Sequence, residues 1–528
     1  MSKKKGIVIL LCLAMIGTFS SCGSSKSSSD SNSSSGDSKT LTIAIQDEIE
    51  GTDIQQIGWD NIVHSLIYSP LVSYNDDLTK LSACFAKSYE ISKNGLEITF
   101  HLYSDSKFSN GDVLNAESVK KSVMRYKKIS QYSGDLDSIK EVKVIDDTTV
   151  KYILSEPAPF MWASVASVYG GIDDVTNANK VGNDKFNKCA VTNGPYYVEK
   201  WKAGSEIILK KNKYFKTSDP NVKNKGIMKF DTVVVKFIPD KFTRVSELQS
   251  GDTDIIYDVP ASNISDLKSD SNVQLFNYKQ AGVCYMRFNV NDSTLSDIRV
   301  REAINYGIDR DSLAEALNNV ITPIYGFLSD AQVGYSASEE QKLAAKYKYD
   351  PDKAKQLLKE AGYTDSDNDG YVDKNGKILT VNYCSPTDRA SAKEAAPVIQ
   401  QQLKNIGIKF NIREYQASYI KQLMREDKFQ AAAHNYVWND ADILYSVFTK
   451  DSGFTWDDSK VTQLLTKARF ESNTEKRVED YAEVQEAMFS NLPGLPLFSD
   501  NYYIAVKKGV SGFHVTNDGR TILNDISK

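Results

Sequence analysis

Histidine is the residue type that most often supplies acid–base catalysis and metal ligands near neutral pH, and the 528-residue chain has four: His64, His101, His434 and His514. They lie too far apart in sequence to form a recognisable metal cluster, so each is expected to be a surface or packed residue, although a three-dimensional cluster remains open. The sequence has no HExxH, GxSxG, Walker or GxGxxG motif. The sequence therefore lacks the residues that metalloproteases, α/β-hydrolases and nucleotide-binding proteins require. We predict a protein that is not an enzyme and has no cofactor.

One acidic loop has the spacing of an ion site. Asp365, Asp367, Asp369 and Asp373 match the first half of a calcium-binding EF-hand loop, but the twelfth position, where such a loop has a bidentate Glu, is Gly376. Without that ligand, calcium affinity is expected to be poor. We interpret the segment as a structural turn and predict no metal site.

The charge balance argues against nucleic acid as a partner. Lys and Arg total 64 against 69 Asp and Glu, which gives a formal net charge of -5 and no basic surface to release counterions from a polyanion. A mildly acidic exterior weakly favours cationic or zwitterionic ligands. With 41% hydrophobic and 25% charged residues, a chain of this length suits a soluble globular protein of two or more domains.

The N-terminus has the pattern of an export signal. Lysines at positions 3–5 precede an apolar run, 6–19, that is too short for a comfortable membrane span. Small residues then precede Cys22, which resembles the lipobox of bacterial lipoproteins. We expect 1–21 to be a lipoprotein signal peptide, Cys22 to be lipidated and the Ser-rich segment 22–39 to be a flexible tether; a cleavable signal followed by a disordered start is the alternative.

The cysteines left after this processing do not define a disulfide framework. Outside the cell a disulfide is chemically allowed, but four cysteines permit three pairings and the sequence does not choose between bridges and free thiols. These cysteines are Cys84, Cys189, Cys284 and Cys384.

From Thr40 onward, strand and helix patterns alternate, which predicts an α/β fold. Apolar and polar residues alternate through 96–103, and a second alternating pattern turns at 146–147 to give a hairpin. Residues 350–362 have the signals of a helix, with an Asp–Pro start and a Gly end. The apolar face of 392–406, followed by a glycine and an alternating strand, predicts a crossover unit beside a parallel strand.

Several motifs follow one another in a characteristic order: FSNGD at 108–112, TNGPY at 192–196, KNKY at 211–214, the segment 288–310 with DIRVREAI and IDR, and 349–363 with YDPDKA and AGY. Together they resemble the extracytoplasmic solute-binding proteins of peptide-type ABC importers. This is the oligopeptide- and dipeptide-binding family, family 5, which also includes nickel-chelate binders.

The resemblance implies a two-lobed α/β fold like that of periplasmic binding proteins, of the large class, with a ligand cleft between the lobes. It implies that 40–283 forms lobe I, with 68–188 as its extra subdomain. Residues 284–498 would form lobe II, and 499–528 would return to lobe I.

Peptide binders of this family commonly present an Asp, after a Trp in the last third of the chain, to the α-ammonium of the ligand. The matching stretch contains Tyr436, Trp438, Asp440 and Asp442. Asp440 is the first candidate for the ammonium and Asp442 the second; the alternative for either is to cap a helix that starts near Asp442.

Three further residues are candidates for the ligand site. Arg389, at the end of a predicted strand, could hold a ligand carboxylate, and a solvated or lobe-bridging arginine is the alternative. Tyr325 could form an aromatic wall or pack in the core. Asn193 stands where the family has Thr, and is a candidate hinge-side contact.

The resemblance therefore implies a monomeric, extracytoplasmic, lipid-anchored receptor that captures peptides and delivers them to the permease subunits of an ABC transporter. A receptor for a nickel or other metal chelate, or for another small solute, is the alternative within the family. An extracytoplasmic hydrolase and a surface adhesin are the alternatives from other classes.

Overall fold

The computed structural model of the protein describes residues 40–528 except 455 and 518. The predicted signal peptide, the lipidation of Cys22 and the tether 22–39 lie outside the described residues.

The strands are short except for β20, and most of them belong to one large sheet. They are β1 (Thr40–Ile45), β2 (Val72–Tyr74), β3 (Leu81–Ala83), β4 (Ser88–Ile91), β5 (Glu97–His101), β6 (Ile139–Asp146), β7 (Thr149–Leu154), β8 (Tyr196–Lys202), β9 (Glu206–Lys211), β10 (Thr232–Phe237), β11 (Ile255–Ile256), β12 (Val273–Lys279), β13 (Gly282–Phe288), β14 (Ile321–Pro323), β15 (Asp373–Lys374), β16 (Lys377–Ile378), β17 (Thr380–Pro386), β18 (Lys409–Tyr415), β19 (Ala431–Val437), β20 (Gly494–Lys507), β21 (His514–Val515) and β22 (Thr521–Ile522).

The helices occur throughout the described chain, and no candidate for a membrane span is found among them. They are α1 (Ile62–Ile67), α2 (Ala116–Ile129), α3 (Trp162–Val165), α4 (Val175–Val181), α5 (Asn183–Phe186), α6 (Lys241–Ser250), α7 (Ala261–Ser269), α8 (Ile298–Tyr306), α9 (Arg310–Ala316), α10 (Ala337–Lys346), α11 (Pro351–Glu360), α12 (Ala390–Lys404), α13 (Ala417–Arg425), α14 (Ile443–Phe448), α15 (Ser459–Phe470) and α16 (Thr474–Asn491).

The elements predicted from sequence patterns are confirmed. The alternating segment 96–103 contains β5, and the predicted hairpin is the antiparallel pair β6–β7. Helix α11 begins after Asp350, whose carboxylate accepts a hydrogen bond from the Lys353 amide. Helix α12 joins β17 to β18, and these two strands are parallel, as the crossover pattern predicts.

The large sheet runs in the order β18-β17-β19-β13-β20-β11-β1-β10-β9-β8, and β12 and β14 also pair with β20. A separate antiparallel sheet has the order β4-β5-β7-β6. The fold is therefore a mixed α/β fold, and many of its neighbouring strands are far apart in sequence.

Two large apolar clusters lie along this sheet. Core A is formed by buried residues of 41–257 and 504–526, and core B by buried residues of 283–498. The chain passes from core A to core B between β12 and β13, and it returns within β20, where Leu495 belongs to core B and Ile504 to core A. The positions of the predicted lobe boundaries and of the extra subdomain stay predictions.

Candidate functional site

The chain passes between cores A and B through β12 and β20, which we call the connecting strands. A cavity of about 540 Å³ lies beside them and is lined by residues from the core A and core B parts of the chain. Its lining comes from four parts of the chain: the core A part (Ile45–Asp47, Trp59–Ile62, Ser65, Tyr132, Ala163, Ser167–Tyr169, Tyr257, Asp258), the connecting strands and the turn that follows β12 (Tyr278, Gln280, Ala281, Tyr502), the end of β19 (Val437–Asn439) and the C-terminal segment (Gly519–Thr521).

Strand ends explain why polar residues meet in this cavity. Strands β1 and β11 are parallel neighbours, so their carboxyl ends lie at the same edge of the sheet. Asp47 follows β1 and Asp258 follows β11 within two residues. Ligands of open α/β sheets bind at such an edge, because the loops there can present side chains without breaking the sheet.

Acidic side chains outnumber basic ones in the lining: it contains Asp47, Asp60 and Asp258 but, among the described residues, only Arg520 as a cation. Asp258 has a left-handed backbone, with φ 54°, and its carbonyl oxygen accepts a hydrogen bond from Arg244 at 3.1 Å. Burial raises the pKa of the Asp258 carboxyl; Arg244 lowers this pKa and Asp47 raises it further.

Aromatic rings form part of the cavity wall. Tyr132 and Tyr169 are in edge contact at 5.3 Å between ring centroids, and the Trp438 ring lies 5.9 Å from Tyr132 and 6.3 Å from Tyr169. Tyr278 and Tyr502 stack at 5.4 Å on the connecting strands. Rings of this kind attract cations through their electron-rich faces. Like the carboxylates, they therefore favour a cationic ligand.

Of the predicted residues, Trp438 lines the cavity. Tyr436, two residues earlier on β19, is buried in core B, and its hydroxyl donates to the carbonyl of Phe327. The difference arises because Tyr436 lies within β19, whereas Trp438 follows the end of that strand and reaches the cavity.

Asp440 is buried and is not among the residues that line the cavity. Its two carboxylate oxygens accept hydrogen bonds from Arg477 at 2.9 and 2.7 Å, and one of them also accepts from the Asp442 amide at 2.8 Å. Asp440 is 1% exposed. Asp440, the first candidate for binding the ligand ammonium, is thus paired with the guanidinium of Arg477.

Asp442 occupies the N-cap position of α14, but its side chain makes no capping hydrogen bond. Its carboxylate is 3.5 Å from Arg469, and burial raises the pKa of this carboxyl to about 7. The Arg469 guanidinium lies 4.1 Å from the ring centroid of Phe160 and 4.4 Å from that of Tyr445. Asp442 therefore contacts Arg469, which in turn stacks on Phe160 of core A. Asp442 itself lies outside the cavity lining.

Asn193 and Tyr325 also lie outside the cavity lining. The Asn193 side chain donates to the Ser69 carbonyl at 2.7 Å and accepts from the Ile172 amide at 3.2 Å, so it ties loops together. The Tyr325 ring packs against core B beneath the Arg310 guanidinium, 4.5 Å away. Arg389 lines a different, much smaller cavity of about 10 Å³.

The acidic residues of the cavity, Asp47, Asp60 and Asp258, were not among the residues singled out from the sequence. A signal for two of them exists, since Asp47 and Asp258 each follow a short apolar segment that could be a buried strand. The sequence does not reveal that these two segments are neighbours, because β1 ends at Ile45 and β11 begins only at Ile255.

The other chemistry-bearing residues lie in different surroundings. His64 is fully buried in α1, where it accepts from the Asn61 amide and contacts the Gly51 carbonyl, and burial lowers its pKa to about 4. The acidic loop brings oxygens of Asp365, Asp367 and Asp369 within 4.8 Å of one another, with all three residues exposed. The four cysteines considered above are unpaired thiols in this structure.

Comparison with known proteins places these features in context. Residues 80–456 match the family model described as bacterial extracellular solute-binding proteins, family 5. The dipeptide-binding protein of Escherichia coli (strain K12) is 26% identical over 509 residues, which cover 87% of this chain and 89% of that protein.

Solved structures resemble this fold over nearly its whole length. AgaA of A. tumefaciens R10, in complex with agropinic acid, has a TM-score of 0.70 and 27% identity, over 92% of this chain and 98% of that one. NikZ of Campylobacter jejuni, in complex with Ni(L-His), has a TM-score of 0.75 and 24% identity, over 93% and 100%. These neighbours are two-lobed periplasmic binding proteins, so the predicted fold class is confirmed.

Proposed function

Because the chain belongs to the bacterial extracellular solute-binding proteins of family 5, which serve ABC importers of peptides, nickel chelates or similar solutes, we propose that it captures a cationic solute in the cavity between cores A and B. The solute we propose is a short peptide with a free amino terminus. The relatives are solute-binding proteins rather than enzymes, and we propose that the peptide leaves this protein uncleaved.

The observation that carries this proposal is the composition of the cavity. Three aspartates face a cavity with a single described cationic residue, and aromatic rings from both sides of the molecule complete the wall. A partly desolvated carboxylate interacts more favourably with a nearby ammonium than an exposed carboxylate does. The size of about 540 Å³ is in the range of small-ligand pockets.

Asp258 is the residue that we assign to the ammonium of the solute. Its carboxylate is held at the edge of the sheet, and burial favours its protonated form in the absence of a cation. An ammonium placed beside it would favour the ionised form, because an opposite charge lowers the pKa of a carboxyl. Asp47 lies close enough to raise that pKa and would add to the attraction for a cation.

Contacts across the cavity support capture by closure. Trp438 and Phe470 come from the part of the chain that forms core B, and both pack against core A. Trp438 does so through Tyr132 and Tyr169 at the cavity itself. Enclosure of a solute between two such bodies, joined by a few connecting strands, is the hinge mechanism of solute capture.

We further propose that Cys22 carries a lipid that anchors the protein on the extracytoplasmic side of the membrane, and that the protein acts as a monomer that hands the solute to the permease subunits. Two acyl chains anchor a protein stably, and the Ser-rich segment 22–39 would give it reach.

The test has two steps. Native mass spectrometry of the protein purified from its own host identifies the solute class, and a peptide is the expected guest; a nickel or other metal chelate would instead support the alternative within the family. Calorimetry then compares a free-amino peptide with its N-acetylated form. We expect Asp258→Asn to weaken binding of the free-amino peptide by about tenfold or more. Binding of the acetylated peptide should change little.

A matched control is Asp266→Asn on α7, which removes an exposed carboxylate outside the cavity lining. It should leave both affinities unchanged. Equal losses for the two peptides in Asp258→Asn would refute the role of Asp258 in binding the ammonium.

A further inference from the structure

A row of glutamates on helix α16 faces an open groove of about 780 Å³. The row consists of Glu475, Glu479 and Glu483, which line the groove at successive turns of the helix, and Glu486 lines it as well. The other walls come from the start of α10 and from Thr79 in the loop between β2 and β3. Among the described residues, the groove shares no lining residue with the large cavity, so it is a separate surface of the molecule.

The spacing of the row is unfavourable within the helix itself. Residues four apart lie side by side on a helix, and like charges at this spacing repel each other. The positive end of the helix dipole favours Glu475 in the first turn, but Glu479 and Glu483 lie beyond that turn. The row therefore carries a repulsion that a cation in the groove would relieve.

The protein's own cations neutralise the groove only in part. Its described lining contains five glutamates and no lysine, arginine or histidine. Lys342, outside the lining, is bonded to Glu486, and Lys467 lies 3.5 Å from Glu483. The other two glutamates of the row are exposed and form no side-chain hydrogen bond or ion pair with the described residues. The groove therefore keeps a negative charge.

A fifth glutamate contributes a buried oxygen to the same groove. Glu339, in the first turn of α10, is 6% exposed and lines the groove. Its Oε2 lies 3.5 Å from the Lys342 ammonium, whereas its Oε1 is buried and has no hydrogen-bond partner among the described residues. A buried acceptor without a donor is costly. This oxygen therefore calls for a donor that enters the groove.

The carboxylates of the groove are spread along it rather than gathered around one point. In the part of the chain that the structure describes, only Asp365, Asp367 and Asp369 bring three possible ligand atoms close enough together for one metal ion. The row on α16 instead repeats at about 6 Å along the helix axis. It suits several separate cationic groups better than a single metal ion.

An extended polypeptide matches both the spacing and the other groups of the groove. Its side chains point to the same side at every second residue, about 6.6 Å apart, which is close to the repeat of the row. Hydroxyl groups of Thr79, Ser338 and Thr474 also line the groove. They can form hydrogen bonds with peptide groups, which a polyamine and a metal ion lack.

We propose that this groove docks an extended basic segment of a partner protein. Lysines or arginines at alternate positions of the segment pair with the row on α16, and one cationic side chain donates to Oε1 of Glu339. The groove lies apart from the large cavity, so the proposal does not depend on the proposed solute.

The test is calorimetry of the full chain, kept in detergent, with a synthetic peptide in which three lysines alternate with serines. Both ends of the peptide are blocked, which removes the free amino terminus that the large cavity is proposed to bind. We expect saturable binding. A blocked peptide of the same composition with its three lysines adjacent should bind a few-fold more weakly, because only two of them can face the row at once. Spermidine, which has the same three charges but no peptide groups, should also bind more weakly.

Variants of the row test where the peptide binds. Replacement of the whole row by glutamine should weaken binding of the alternating peptide by about tenfold (Glu475→Gln, Glu479→Gln, Glu483→Gln). The matched control removes the same charge from three exposed glutamates outside the groove and should leave the affinity unchanged (Glu117→Gln, Glu141→Gln, Glu394→Gln). No saturable binding of the alternating peptide, binding of spermidine or of the adjacent-lysine peptide at least as tight, or equal affinities in the two triple variants would overturn the proposal.

Glu339→Gln tests the buried oxygen separately. The variant keeps the shape of the side chain but removes its charge, so the hydrogen bond from a cationic donor becomes weaker. The affinity for the alternating peptide should fall by about fivefold. An unchanged affinity would overturn the role of Glu339 in docking.

Discussion

Asp440 and Asp258 both lie just after a strand, yet their surroundings give them opposite roles. Asp440 is buried and accepts hydrogen bonds from Arg477 on both carboxylate oxygens, whereas Asp258 lines the large cavity. A carboxylate that already has a guanidinium partner gains little from a second cation. At the scale of single residues, a carboxylate is therefore available to a solute only if it is not already bound to a cation of the protein.

We predict that Asp440→Asn destabilises the protein, because the variant leaves the Arg477 guanidinium buried without a counter-charge. The free energy of unfolding should fall by about 3–5 kcal/mol, measured by urea denaturation. Asp330→Asn is the control: it breaks a solvent-accessible pair with Lys279, which should cost about 1 kcal/mol or less. An unchanged stability combined with a selective loss of free-amino peptides would instead favour the ammonium role that the resemblance implied.

We predict that His64 makes the protein sensitive to acid. Its pKa is about 4 in the folded state against the ordinary 6.5, so below pH 6.5 the unfolded chain binds a proton that the folded chain does not. Stability should therefore fall as the pH decreases from 6.5 to 4, by about 3 kcal/mol from this residue. In His64→Gln the loss over this interval should be smaller, as measured by urea denaturation at several pH values.

His101→Gln is the matched control, because His101 is only half-buried on β5. This variant should keep the acid sensitivity of the wild type. An equally steep pH dependence in His64→Gln would contradict the account.

The resemblance pointed to a stretch of chain that reaches the cavity, but of its four candidate side chains, those of Tyr436, Trp438, Asp440 and Asp442, one lines the cavity. Trp438 lines the cavity, while Asp440, two residues later, does not. The reason is a tertiary contact: Arg477 lies 37 residues beyond Asp440, and nothing in a local motif shows that the two meet. Burial and pairing of a charge are properties of the folded chain.

At the scale of elements, local signals were sufficient wherever an element is defined by its own residues. The crossover from β17 through α12 to β18 follows from an apolar helix face, a glycine stop and an alternating strand. By contrast, the 14-residue strand β20, which contributes to both cores, depends on pairing with β11, β12, β13 and β14. Such long-range pairings, and thus the strand order, were not predictable from periodicity.

We predict that Gly407→Ala destabilises this crossover. Gly407 has φ +84°, and an added Cβ would lie 2.9 Å from a methyl carbon of Val372. Gly370→Ala is the control, because Gly370 has nearly the same φ, +89°, with no atom within 4 Å of the added Cβ. The control should cost about 1–2 kcal/mol from the left-handed backbone alone, and Gly407→Ala should cost more in thermal or urea unfolding. Equal costs would show that contact with Val372 has no effect.

At the scale of the whole molecule, the proposed closure of the cavity would depend on the contacts between cores A and B. Arg469 on α15 lies over the ring of Phe160 and also contacts Asp442. This contact joins the two sides away from the cavity, so it can favour the closed arrangement without touching the solute. Closure then depends on the solute and on such direct contacts together.

We predict that Arg469→Ala favours a more open molecule, because the stacking on Phe160 is lost. The radius of gyration without solute should rise in small-angle scattering, and solute affinity should fall by a few-fold, as expected from a cation–π contact of about 0.5–1 kcal/mol. Lys460→Ala, an exposed position at the start of the same helix, should change neither quantity. Identical scattering from the Arg469 variant and the wild type would contradict this role.

The central claim is that two bodies close around a solute and release it chemically unchanged. Its most direct test is small-angle scattering of the full chain, stripped of its co-purified solute and then titrated with that solute. The account predicts a saturable decrease in the radius of gyration as the solute fills the cavity. A radius that stays constant while calorimetry shows binding would contradict it.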